Sequence, residues 1–227
     1  MGKDRIFLEC RKWKGFNRNS VDRELQRYLW DNIMPQYQLN DPSHQMPHIM
    51  YVGKRAFKFA AEQFTGINRC MLFAAVMYHD LGSHIDRKNH HVVSAQLFLE
   101  DSFMMRYFDP SERQTIAIAI EDHRCSSPRS MPRNTYGKIL SSADRYTSVD
   151  EYLRACRNGQ ARVNFTPKSL ISEIDRAYEI CYERYGEHKI PKTFVNDPDF
   201  DKFIEDMRLL LCDYDAFADR YMLANNI

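Results

Sequence analysis

Residues 70–82 read CMLFAAVMYHDLG. Nine consecutive apolar side chains, Cys70 through Tyr78, run into an adjacent His79-Asp80 pair and stop at Gly82. A helix that is apolar all round belongs in the interior of a domain. This one falls well short of the roughly 20 apolar residues that a membrane-spanning helix needs. Leu72, Ala75, Val76 and His79 share one helical face, and Phe73, Met77 and Asp80 share the next. An imidazole and a carboxylate therefore leave the C-terminal end of the most buried helix side by side. Asp is almost never buried unless it is paired or binds a metal. The dyad asks for a cation.

Outward from this helix, the flanks also read as helices. Upstream, QYQLNDPSHQMP (36–47) is a polar loop with Asn-Asp-Pro turn chemistry, and Pro47 suits the first turn of a helix that places His48, Val52, Ala56 and Phe59 on one face. Before it, Ser20 can cap a helix over about 21–34 that ends near Pro35, preceded by a basic, aperiodic arm over 1–19. Downstream come a loop over 82–89, a helix over about 90–105, a turn at Phe108-Asp109-Pro110 and a helix over about 111–124. Its IAIAI run alternates like a strand, but Ile116, Ile120 and His123 keep helical spacing. After the two-proline loop CSSPRSMPRN, a long helix over about 135–157 carries Leu140 and Asp144 on one face, with Gly159 as its stop. Past 160, two further helices, from Thr166-Pro167 to Gly186 and over about 199–223, show apolar stripes and no ligand-like spacing of Asp, Glu or His. The fold expected is all-α, a helical bundle of about seven or eight helices. Its divisions are an N-terminal arm and helix (1–40), a core (41–158) and a C-terminal helical extension packed on that core (159–227).

The whole chain narrows the function classes. Its 227 residues are 44% apolar and 28% charged with a net charge of +1, which fits an ordinary globular protein and disfavours nucleic acid as the main partner. The start, MGKDRIFLECRKWKG, is too charged for a signal peptide, and Ile6 breaks a myristoylation motif. Six cysteines form no C-x-x-C pair and sit mostly in apolar helical patterns, so they read as reduced side chains of a cytoplasmic protein.

Histidines and carboxylates on apolar helical faces are His48, His79, Asp80, His91, His123 and Asp144, each at or near a helix end. A single buried histidine is more often a hydrogen-bonded core residue. Six such groups from five segments argue for a metal centre. His48 in MPHIMYV, His79-Asp80 in MYHDLG and Asp144 in SSADRY, with His91 in HHVVSAQLFLED and His123 in AIAIEDHR, resemble the HD-domain superfamily of metal-dependent phosphohydrolases, in its binuclear form. The resemblance covers about residues 41–150. It implies two divalent ions, one held by His48, His79, Asp80 and Asp144 and the other by His91 and His123, with Asp80 shared. Without thiolates, such a set suits Fe, Mn, Co, Ni or Zn. It further implies hydrolysis of a phosphate mono- or diester, of a nucleotide or related small metabolite, by a water activated between the ions.

Many relatives carry a lysine three residues after the His-Asp pair, where this chain has Ser83 followed by His84. Either His84, Arg87 or Lys88 supplies the missing charge or that role is absent; the catalytic set expected is Asp80, His84 and Lys88. Substrate contacts are expected from His44, Arg124, Arg129, Arg133 and Arg145, since arginine suits bidentate phosphate recognition. Two other readings of the same residues stand beside this one: a mixed-valent di-iron oxygenase, and a non-catalytic nucleotide-binding regulator. The expected partner is a small phosphorylated molecule, with no membrane, and a homodimer is left open.

Overall fold

The computed structural model describes residues 16, 21–126, 130–162, 165–189 and 191–227, the side chains of 160–162 excepted. The expected arm over 1–19, apart from Phe16, and the Ser20 cap lie outside these residues. Phe16 is buried against Phe57 and Phe73, with ring centroids at 5.1 and 5.6 Å.

The described residues form eleven α-helices and no strand, so the all-α expectation holds. They are α1 (Arg23–Tyr28), α2 (Met46–Gln63), α3 (Arg69–Tyr78), α4 (His90–Glu100), α5 (Ser102–Tyr107), α6 (Pro110–Asp122), α7 (Thr135–Ala143), α8 (Val149–Arg162), α9 (Leu170–Tyr185), α10 (Pro198–Leu211) and α11 (Tyr214–Asn225). Short polar side chains start most of them by accepting the free amides of the first turn. Asp22 opens α1, Asn68 opens α3, Asn134 opens α7, and Asp109 with Glu112 forms a capping box on α6. No helix among the described residues is long and apolar enough to cross a membrane.

Three helices expected to be continuous are broken, each at an aspartate. Within 90–105, Asp101 caps a new helix: its Oδ1 accepts from the amides of Phe103 and Met104, and its Oδ2 accepts from the hydroxyls of Tyr28 and Tyr78, both at 2.6 Å. Within 135–157, α7 ends at Ala143 with Asp144 as its C-cap. Within 199–223, Asp213 accepts from the amide of Ala216 and opens α11. Gly159 is no stop, because α8 continues to Arg162. Pro35 does not end the first helical stretch either; α1 passes through a π turn at Leu29–Ile33 into a 3-10 turn at Met34–Leu39.

The chain divides into two compact units. The first runs to Asp144 and includes Phe194–Asn196; the second holds Arg145–Thr193 and Asp197–Ile227. The expected boundary near 158 thus moves to Asp144–Arg145, where the long helix breaks. Within the expected division over 1–40, Val21, Leu25, Leu29, Ile33 and Tyr37 are buried in the first core. In that core α3 packs among α2, α4, α6 and α7, and every residue from Met71 to Tyr78 is buried. The second unit is closed by Tyr152, Leu153, Ile174, Tyr185, Phe200, Phe203, Met207, Phe217 and Tyr221.

Candidate metal centre

The first unit gathers helix ends around one point. His48 stands in the first turn of α2 just after Pro47, His79 is the C-cap of α3, and Asp80 opens the 3-10 turn Leu81–His84. His90 is the first residue of α4, His123 the C-cap of α6 and Asp144 the C-cap of α7. The turn after Asp80 is held flat against α4: the Gly82 amide donates to Ser94 Oγ at 2.9 Å, and a Cβ at Gly82 would lie 2.7 Å from Val93 Cγ1. A larger residue there would push the turn off the helix.

Two ligand sets result, and Asp80 belongs to both. In the first, His48 Nε2 lies 3.3 Å from Asp80 Oδ2, 3.1 Å from Asp144 Oδ1 and 3.4 Å from His79 Nε2. His79 Nε2 is 3.5 Å from Asp80 Oδ2 and 4.0 Å from Asp144 Oδ1. In the second, Asp80 Oδ1 lies 3.1 Å from His90 Nε2 and 3.4 Å from His123 Nε2, and the two imidazole nitrogens are 3.1 Å apart. Donors about 2.0–2.2 Å from one ion stand roughly 3–3.5 Å from each other, a spacing that each of these pairs but His79–Asp144 has.

The hydrogen bonds behind the rings aim them. His79 Nδ1 donates to the Val76 carbonyl at 2.8 Å, His90 Nδ1 to Arg87 at 2.9 Å and His123 Nδ1 to Ile120 at 2.7 Å. In each case the carbonyl lies three residues back and can only accept, so the neutral ring keeps its proton on Nδ1 and turns the Nε2 lone pair inward. In the second set, the Nε2 atoms of His90 and His123 and the Oδ1 of Asp80 meet at 3.1–3.4 Å. A cation among the three, a proton or a metal ion, satisfies them.

The electrostatics suit a cation. Burial works against the charge of Asp80, but the imidazoles of His79, His123, His48 and His90 outweigh it and hold the carboxyl well below its usual range. Burial also opposes a charge on Asp144, and His48 again prevails and lowers it. Burial disfavours the His48 imidazolium, yet hydrogen bonds to Asp144 and Asp80 push its pKa up to about 10. His79 goes the other way: burial drives it down to about 4 against the pull of Asp80 and Asp144. These buried His and Asp groups could hold a metal ion.

Of the expected ligands, the structure brings together His48, His79, Asp80, His123 and Asp144. His91 is displaced by its neighbour. α4 begins at His90, whose ring points into the centre, followed on the same buried side by Ser94 and Phe98. Adjacent helical residues diverge by about 100°, so His91 points away from the shared carboxylate. Among the described residues its buried Nδ1 has no hydrogen-bond partner, and it lines a cleft of about 270 Å³ with Glu121, Arg124, Cys125 and Arg133.

The other expected site residues scatter. His84 is exposed and its Nδ1 donates to Asn40 Oδ1 at 3.2 Å; Asn40 in turn donates to the Asp80 carbonyl at 2.9 Å. Lys88 is exposed and, among the described residues, bonds only through its backbone, its amide to Asp86 and its carbonyl to Arg124 Nη1. That leaves its ammonium no contact with the ligand sets. Arg133 is taken up by Asp122 and Glu121 at the end of α6, so it is already neutralised. Arg129 lies outside the described residues, and Arg145 opens the second unit. His44 is close, its ring centroid 5.3 Å from that of His48. It donates to Asp41 and accepts from Arg87, and burial lowers its pKa against the pull of Asp41. Asn40 escaped the sequence reading, since a loop asparagine gives no periodic signal. Among known proteins, no family profile, no curated protein and no solved structure matches this chain.

Proposed function

We propose that this protein is a metal-dependent phosphohydrolase that cleaves a phosphate ester of a nucleotide or a related small metabolite. The observation that carries the reading is the shared carboxylate: Asp80 offers Oδ2 to the set of His48, His79 and Asp144, and Oδ1 to the set of His90 and His123. One carboxylate facing two donor sets through opposite oxygens supports two adjacent divalent ions. Four imidazoles and two carboxylates suit Fe, Mn, Co, Ni or Zn. Bound there, such ions supply a Lewis acid for phosphoryl oxygens and lower the pKa of water toward neutrality. The chain's own part is to present neutral Nε2 atoms with fixed tautomers, and to offset two ions with only two aspartates. That leaves a concentrated positive charge to draw in an anion.

The test is elemental analysis of freshly purified protein, followed by phosphate release across a panel of nucleotides and simple esters, in air and under anaerobic conditions. About two ions per chain and release without O₂ are expected. Turnover that strictly needs O₂, with a mixed-valent di-iron EPR signal, would replace the hydrolase with an oxygenase. Tight nucleotide binding with no turnover would replace it with a regulator.

A further inference from the structure

The segment between Asp80 and α4 runs from one ligand set to the other, and Arg87 spans the gap. Its carbonyl orients His90 of the second set, accepting from Nδ1 at 2.9 Å. Its guanidinium reaches the opposite way: Nη1 donates to Ser83 Oγ at 2.7 Å and Nη2 to His44 Nε2 at 2.9 Å. The His44 ring stands beside His48 of the first set, and the buried Ser83 donates its amide to the Asp80 carbonyl at 3.0 Å. The guanidinium is therefore held at the rim of the centre by two anchors.

Both anchors are neutral. Ser83 offers a hydroxyl oxygen, and His44 must keep its Nε2 unprotonated to accept. Among the described residues, no carboxylate is bonded to Arg87. Arg133, by contrast, is held by two carboxylates. Arg87 is thus an oriented, uncompensated cation beside the ligand sets, with three of its five N–H donors left over. A planar fork with open donors is the group that recognises phosphoryl oxygens.

The chemistry of esters then narrows the substrate. A phosphate monoester has three non-ester oxygens and carries a charge of about −1.5 to −2 at neutral pH. A diester has two such oxygens and a single charge. A monoester therefore offers a guanidinium one more charged oxygen than a diester does, and about twice the charge. We propose that Arg87 is the substrate-anion contact of this centre and that it selects phosphate monoesters over diesters. The selectivity rests on the hydrolase reading above; the anion contact does not.

The experiment titrates inorganic phosphate calorimetrically into the metal-loaded protein and into its Arg87→Met and Arg87→Lys variants, with metal content measured on each. Beside it, kcat/KM is taken for 4-nitrophenyl phosphate and for bis(4-nitrophenyl) phosphate. Arg87→Met should keep its metal and bind phosphate about 10- to 100-fold more weakly, the range of one charge-assisted hydrogen bond. It should lose a similar factor on the monoester, mostly in KM, while the diester stays within about threefold, and Arg87→Lys should recover part of the loss. Equal phosphate affinity in wild type and Arg87→Met overturns the proposal. So does an equal loss on both esters, or loss of an ion, since a residue that merely pins the loop gives those results. If the loaded wild type cleaves neither ester, the hydrolase reading falls, and the phosphate titration still decides for or against Arg87.

Discussion

The two units differ in the polar side chains they bury. At the centre of the first, His79, Asp80, His90, His123, Ser94, Ser141 and Ser142 are all buried beside an aliphatic and aromatic core. The second is closed by rings meeting edge to face, such as Tyr185 on Phe203 at 5.1 Å and 89° and Tyr178 on Phe217 at 5.1 Å and 88°. Even its two buried thiols, Cys156 and Cys181, pack against each other at 3.9 Å. The buried carboxylate of the second unit, Asp197, accepts from the Phe200 amide and caps α10. Burying polar groups lowers stability unless each finds a counterpart. Among the described residues, the buried His and Asp groups that could hold a metal ion all lie in the first unit. Candidate metal ligands and ring packing are thus separated along the chain.

Substitutions can break or sharpen that contrast. The largest effect belongs to Asp80→Ala, which removes the shared ligand. Bound metal should fall from about two ions to nearly none and turnover should drop by about a thousandfold or more, with helix content by circular dichroism almost unchanged. Retention of both ions would show that the carboxylate does not hold them. Next is Phe203→Ala in the second core, which should cost about 3–5 kcal/mol in a denaturant titration while the metal content stays at about two. A parallel loss of metal would end the division of roles. Within the first unit, His90→Ala should move the bound metal from about two ions toward about one, and His91→Ala should leave it at about two. Elemental analysis that reverses these two results would return His91 to the centre.

The smallest effect is in the proton balance. His48, with its pKa near 10, is charged in the metal-free protein and must lose that proton to become a ligand. Metal affinity should therefore rise with pH, by up to about tenfold per unit between roughly 6.5 and 10, and uptake near pH 8 should release about one proton per chain. The metal-free protein runs the other way. Its raised His48 pKa stabilises it fully below about 6.5, and this stabilisation is lost as pH rises through about 10. Metal titrations in buffers of different ionisation enthalpy measure the proton count, and uptake without release contradicts the ligand role of His48.

The sequence shows the core of this site because its ligands sit next to strong periodic signals. Cys70–Tyr78 announces a buried helix, so His79-Asp80 is placed by its end, and His48, His123 and Asp144 follow from the faces of neighbouring helices. His90 against His91 is a question of phase. It is decided by where α4 begins, and the loop over 82–89 carries no periodicity from which to set that start. The spacing of His90, Ser94 and Phe98 was an available clue, but Ser94 is polar and does not read as buried until Gly82 is seen bonded to it. The breaks at Asp101, Asp144 and Asp213 were hidden for a related reason. An aspartate on a helical repeat looks like a solvent-facing residue, and only the amides it accepts from, or the fold of the chain beyond it, show that the helix has stopped.

The back-bonded imidazoles have a spectroscopic consequence. A histidine ring N–H in water exchanges too fast to be seen, but His79 and His123 hold theirs on backbone carbonyls inside a core, at 0% and 1% exposure. In a protein labelled with nitrogen-15, these two protons should persist as sharp downfield resonances at neutral pH, each correlated with a single ring nitrogen. They would report the other nitrogen too, since an ion arriving at Nε2 shifts the whole ring. The centre carries its own resonance probe, and filling of the two positions could be followed one ring at a time without any added label on the substrate.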